Sequence, residues 1–248
     1  MIAQPFTDYI WLDDDSFNPQ KLVSVAKLFA ALKSAISSLS NYYNALELDL
    51  PSSTVSPYPY ITEYGPDKIK FTYKLRLPFE QSNKLLYVAT LDDMPDTQIV
   101  VKFAQRYNAE AHRLLAAEGL APILHYSSTD DNIRYGKRFM IVMDFVDIER
   151  ISDRLTENQF ESIKKSVEKA IDILHSNDVV FGDLRPPNIL FGNNTTMLID
   201  FDWCGKAGKD RYPPEMNPDE DFGWHDDAGA DRLMSPDHDM HMLAGLFY

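Results

Sequence analysis

Two short apolar segments, each stopped by an aspartate, constrain this chain more than any other feature. One reads Phe181-Gly182-Asp183-Leu184-Arg185-Pro186-Pro187-Asn188-Ile189-Leu190-Phe191, the other Leu198-Ile199-Asp200-Phe201-Asp202. Asn188 follows Asp183 by five positions, and Asp200 follows Asn188 by twelve. Two prolines fix backbone angles in the loop, and Gly192-Asn193-Asn194 supplies a hairpin turn between the apolar runs. Three polar side chains are thereby gathered at strand ends. One carboxylate can orient or deprotonate an acceptor hydroxyl. An amide oxygen and a second carboxylate can hold magnesium on nucleotide phosphates. The pattern points to phosphoryl transfer, with turn-capping Asp and Asn residues as the plain alternative.

Composition sets the frame. At 248 residues the chain suffices for one two-lobed domain or two small ones, and 44% hydrophobic with 12% aromatic residues can build a core. A net charge of −14 and a pI near 4.7 argue against a nucleic-acid or anionic-membrane partner. The one cysteine, Cys204, permits no internal disulfide, so a reducing cytoplasmic or nuclear compartment is expected. The N-terminal MIAQPFTDYIWLDDD lacks the basic and apolar regions of a signal peptide. The longest contiguous apolar runs, Phe139 to Met143 among them, are far too short to span a bilayer, and no membrane partner is expected.

The paired motifs resemble the catalytic loop and metal-binding motif of the protein kinase-like superfamily. Phe181-Gly182-Asp183 stands at the HRD position, similar to the HGD form of small-molecule phosphotransferases and fungal kinase-like proteins, and Asp200-Phe201-Asp202 stands at the DFG position. The resemblance covers about residues 69–248. It implies an α+β, two-lobed fold with a shortened large lobe and an N-terminal helical extension. On this reading residues 1–66 are the extension and linker, 67–146 the small lobe and 147–248 the large lobe.

The resemblance also implies ATP and Mg2+ as cofactors and assigns roles. Asp183 orients the acceptor hydroxyl and takes its proton, with Arg185 facing the γ-phosphate. Lys102, in Val100-Val101-Lys102-Phe103, holds the α- and β-phosphates and pairs with Glu110 on the next helix, only eight residues on. The backbone of Asp144 and Val146, in Val142-Met143-Asp144-Phe145-Val146, meets adenine. Asn188 and Asp200 bind magnesium. Asp202 replaces the usual glycine and either adds a carboxylate near the metal or shapes the turn. Asp239 braces the backbone of the catalytic loop. The acceptor is expected to be a protein serine or threonine hydroxyl. A small-molecule alcohol, as in aminoglycoside- or choline-kinase-like enzymes, and a catalytically inactive scaffold are the alternatives.

Outside the motifs, Leu22, Val25, Phe29, Leu32, Ile36, Leu39, Tyr43 and Leu46 form one apolar stripe on a helix of about 25 residues. The stripe is either a seam for a partner helix or a face packed on the chain's own body. Its flanks carry small and polar residues instead of paired charges, which favours the second. Thr156-Glu157-Asn158-Gln159 is a capping box that opens a helix running to about Ser176. Residues 203–236, rich in Pro, Asp and Gly, read as a long loop. His225, Asp226, Asp227, Asp237, His238 and His241 offer a competing metal cluster.

Three features depart from the resemblance. No glycine lies between Gly65 and Gly119, so the hairpin expected near Pro78 to Lys84 lacks the glycine-rich phosphate clamp. No APE-like segment stands out; Arg211 to Met216 is the nearest candidate. Gly182 occupies the place of the arginine that reads activation-loop phosphate, so phosphorylation of Tyr212 or Ser235 is expected to leave turnover unchanged.

Overall fold

The computed structural model describes residues 19–45, 58–77, 85–147, 156–192, 195–217 and 223–247. The chain forms two compact units, Met1–Pro57 and Tyr58–Tyr248. The first unit holds α1 (Pro19–Ala45), 27 residues long. The helical period gathers Phe29, Leu32, Ile36 and Leu39 on one face, as the alternating three- and four-residue spacing predicts. One expectation needs correction. The stretch Val23–Tyr43, 21 residues long, is by length and composition apolar enough to cross a bilayer. Counting contiguous apolar runs missed it because serines, Lys27, Lys33 and Asn41 interrupt the run. Lys27 and Lys33 are its only charged residues.

The second unit opens with a six-stranded antiparallel sheet in the order β1-β2-β3-β4-β6-β5. Its strands are β1 (Glu63–Tyr64), β2 (Ile69–Arg76), β3 (Leu85–Leu91), β4 (Gln98–Ala104), β5 (Leu124–Ser127) and β6 (Phe139–Asp144). Strand β4 lies between β3 and β6 and is buried on both faces from Ile99 onward, so its side chains divide cleanly by parity. Val101 and Phe103 join Phe71, Tyr73, Tyr87, Met140 and Val142 in an aromatic-rich core. Val100 and Ala104, on the opposite face with Lys102, pack with Ile141, Met143 and Phe139.

Helix α2 (Ala109–Ala117) follows β4. Asn108 caps it by accepting a hydrogen bond from the Ala111 N–H. The remaining elements are α3 (Glu157–Ser176), β7 (Val179–Val180), a 3-10 turn (Pro186–Asn188), β8 (Ile189–Gly192), β9 (Thr195–Leu198), β10 (Gly205–Lys206) and α4 (Pro236–Phe247). The predicted capping box at Thr156 and Gln159 is formed in both directions. Helix α3 buries Ile163, Val167, Ala170, Ile171 and Leu174 against Phe181, Leu184, Ile189, Leu198 and Phe201. Each Val, Ile, Leu or Phe among them contributes about 1.5–3 kcal/mol, an upper figure because unfolded chains already bury some surface.

The segment expected to be a long loop is more ordered than its composition suggests. Strand β10 pairs with β7, Arg211 bridges Leu233, and Tyr212, Met216 and Met234 build a small core on Val180. Three large apolar residues spaced along it, Tyr212, Met216 and Met234, outweigh the turn-forming composition. The hairpin region 78–84, where the phosphate clamp was expected, and the turn residues Asn193 and Asn194 lie outside the described residues.

Candidate active site

The catalytic-loop segment is held by its backbone. Asp239, 1% exposed near the start of α4, accepts hydrogen bonds from the Phe181 N–H at 2.7 Å and the Gly182 N–H at 2.8 Å. His175 Nε2 lies 3.0 Å from the same carboxylate. This is the bracing role assigned to Asp239 from the sequence. Gly182 has φ +79°, and a side chain there would meet Met234 Cε at 2.5 Å and the Trp203 carbonyl oxygen at 3.2 Å. Only glycine fits both the backbone angle and the space.

Held in this way, the loop gathers its polar side chains. Asp183 is buried; its carboxylate receives Arg185 Nε at 2.5 Å, Arg185 Nη2 at 3.0 Å and Asn188 Nδ2 at 2.8 Å. Asn188 Nδ2 also donates to the Asp183 carbonyl at 2.8 Å. With its nitrogen so committed, the Asn188 amide keeps its oxygen as the acceptor for a cation. The hairpin β8–β9 continues the alignment: the Ile199 N–H donates to the Asn188 carbonyl at 2.9 Å, which sets Asp200 one residue past Asn188's neighbour. Asp200 has φ +72°, a left-handed conformation that costs a non-glycine residue about 1–3 kcal/mol. Arg185, expected to face a γ-phosphate, lies on Asp183, with its guanidinium carbon 5.4 Å from the Trp224 ring centroid.

Lys102 reaches this group from the sheet. It is 4% exposed, on a central strand between Leu86 and Ile141, which excludes a snorkelling edge lysine. Its Nζ lies 2.5 Å from Asp200 Oδ1 and 2.5 Å from Asp202 Oδ1. Burial alone would lower the lysine pKa; the two carboxylates reverse this and raise it above the ordinary value. The expected pairing with Glu110 is therefore corrected. Glu110 is exposed, and α2 turns Ala109, Ala111, His112 and Leu115 inward instead. Glu110 sits about 200° around the helix from His112, at 100° per residue, so it faces away from the site.

Two residues went unnoticed in the sequence. His112 stacks on Phe201 at 4.5 Å and 10°, with its nitrogens 2.7 Å from the Tyr107 hydroxyl and 2.7 Å from the Pro122 carbonyl. Burial pushes its pKa down to about 4, so the ring is neutral at pH 7. Tyr107, itself packed on Phe201 and 5.4 Å from Lys102 Nζ, has its hydroxyl pKa raised by burial and by Asp202 and Asp200. The inward-facing histidine in Glu110-Ala111-His112 was the available signal. Phe201 completes the cluster, 5.7 Å from Phe181 and perpendicular to it.

The remaining assignments are placed as follows. Asp144 ends β6; its N–H donates to the Ile123 carbonyl at 3.0 Å, and its carboxylate lies 2.6 Å from His125 Nε2. Val146 follows β6 and is half-buried. Cys204 is buried, which pushes its thiol pKa up and leaves it a poor nucleophile. His225 stacks near His238 and His241 at 5.1 and 5.2 Å between ring centroids. Among the described residues, however, no group of three His, Cys, Asp or Glu side chains is arranged to hold a metal ion, so the competing cluster is not formed.

Comparison with known proteins agrees with this geometry. The family model described as protein kinase domain matches residues 97–220. Over 102 residues the chain is 32% identical to the serine/threonine-protein kinase TIO of Arabidopsis thaliana, a match covering 39% of this chain and 7% of that protein. It is 32% identical over 76 residues to the serine/threonine-protein kinase pak-2 of Caenorhabditis elegans, covering 28% and 15% respectively. The matched segments are thus a small part of both relatives. Among solved structures, the Cydia pomonella granulovirus kinase PK-1 superposes with a TM-score of 0.54 at 16% identity, covering 72% of this chain and 69% of that one. At that identity the likeness establishes the fold alone.

Proposed function

Because this chain belongs to the protein kinase domain family, we propose that it transfers the γ-phosphate of ATP to a hydroxyl group, and that the acceptor is a protein serine or threonine. The observation that carries the reading is the meeting of Lys102 and Asp200, 98 positions apart, at 2.5 Å beside the Asp183–Asn188 pair. Lys102 supplies a fixed positive charge for the nucleotide phosphates. Asp183 takes the proton of the acceptor hydroxyl, and its salt bridge to Arg185 keeps the carboxylate aimed. Asn188 and Asp200 are hard-oxygen donors of the kind magnesium takes, and they would hold it. When bound, the ion neutralises charge on the phosphates. The serine/threonine assignment draws on the similarity to two serine/threonine-protein kinases.

Calorimetric titration of ATP tests the reading, with and without magnesium, into the chain and into Asp200→Ala. Magnesium-dependent binding lost in the variant supports it, and the absence of binding to the intact chain overturns it. Radiolabel transfer to generic protein substrates, set against low-molecular-weight alcohols, then decides the acceptor class.

A further inference from the structure

We propose that Asp202 is the positioning residue for Lys102, in the place that kinase resemblance assigns to Glu110. Asp202 holds the ammonium where the nucleotide phosphates meet it, and the N-terminal end of α2 carries no charge that turnover requires. The proposal deepens the phosphotransfer reading and rests on it for what the held lysine does.

The argument starts from burial. An ammonium that is 4% exposed on a central strand needs opposite charge within reach. Its neighbours across the sheet, Leu86 and Ile141, are apolar. Helix α2 offers nothing inward but alanine, leucine and His112, whose two nitrogens are spent on Tyr107 and Pro122. Both carboxylates come from one turn, Asp200-Phe201-Asp202. Asp200 also stands where the cation is expected, so its charge is shared once that cation binds. Asp202 is the partner left to the lysine.

The phase of α2 is locked. The Asn108 N–H donates to the Phe201 carbonyl at 3.1 Å, and Asn108 Nδ2 donates to the Cys204 carbonyl at 3.3 Å. Asn108 Oδ1 caps the helix, and His112 stacks on Phe201. Rotating Glu110 inward would break the contacts to Phe201 and Cys204 together. The glycine common at the third position of this motif has no side chain, so the aspartate is the departure that replaces the lost helix partner.

The decisive test is a pair of double-mutant cycles on the full chain without nucleotide or metal, read as urea unfolding midpoints. Lys102→Met with Asp202→Asn should be non-additive, the double variant lying closer to wild type than the summed effects. Lys102→Met with Glu110→Gln should be additive. In turnover, Asp202→Asn should lower kcat/KM for ATP by about 10- to 100-fold at an unchanged fold, with Asp202→Glu recovering part of it. Glu110→Gln should stay within about twofold of wild type. Additivity in the first cycle, coupling in the second, or equal damage from Glu110→Gln and Asp202→Asn overturns the proposal. If Lys102→Met fails to fold, the turnover comparison decides alone. Failure of the intact chain to bind ATP removes the phosphotransfer reading, whereas failure of the nucleotide-free coupling removes this assignment, so the two are told apart.

Discussion

Asp239 and Lys102 are both buried charges at the heart of the second unit, 1% and 4% exposed, and they are satisfied in opposite ways. Asp239 takes two backbone N–H groups and an imidazole. Lys102 takes two side-chain carboxylates. Backbone donors are present whatever residues the loop carries, so the path of the catalytic loop depends on the chain being there. Side-chain partners depend on identity, and a single replacement can reassign them. The path of the loop is therefore the half of the site held independently of side-chain identity, and the lysine cradle is the half where the partner of a buried charge departs from the pattern the chain resembles.

Four experiments break or sharpen that contrast. The largest effect belongs to Asp183, which the braced loop presents. Asp183→Asn should cut turnover by about 10²- to 10⁴-fold while leaving ATP affinity in place, read by steady-state kinetics beside calorimetry. Next comes the brace itself. Asp239→Ala strands two buried N–H groups and should cost about 3–5 kcal/mol of stability, measured by urea denaturation. A loss below about 1 kcal/mol would mean that the loop holds its shape without the carboxylate.

On the cradle side, His112 has a folded pKa of about 4 against an ordinary 6.5. The folded chain therefore binds fewer protons than the unfolded chain between these values. Stability is full above pH 6.5 and falls by about 3 kcal/mol as pH drops to 4. His112→Gln should flatten that part of the profile, and an unchanged slope would show that the ring is not shielded. The smallest effect is local. Thr156→Ala removes the cap of α3 and should lower stability by about 1 kcal/mol with turnover unchanged.

Legibility followed the same division. Thr156 and Gln159 announced a helix start because a capping box uses neighbouring residues. The grouping of Asp183, Asn188 and Asp200 was legible because a short loop and one hairpin join them, and the brace from Asp239 was legible only through the resemblance. Strand β4 declared itself by the alternation around Lys102. The partner of Lys102 did not, because it depends on the phase of α2, which Asn108 fixes through contacts with residues more than ninety positions away. The order within the segment expected to be a loop was hidden in the same way: Tyr212, Met216 and Met234 pack together on Val180, which lies in another part of the chain. The bilayer-length stretch in α1 was diluted by small residues and escaped a count of contiguous apolar positions.

Gly182 limits what this sequence can become. With φ +79°, Met234 at 2.5 Å and the Trp203 carbonyl at 3.2 Å from where a side chain would begin, an arginine there needs a rotated backbone and a displaced methionine as well as a new codon. The resemblance's phosphate-reading arginine is thus disfavoured here by the backbone angle first and by packing second, and a Gly182→Arg chain would carry strain in the very loop that presents Asp183.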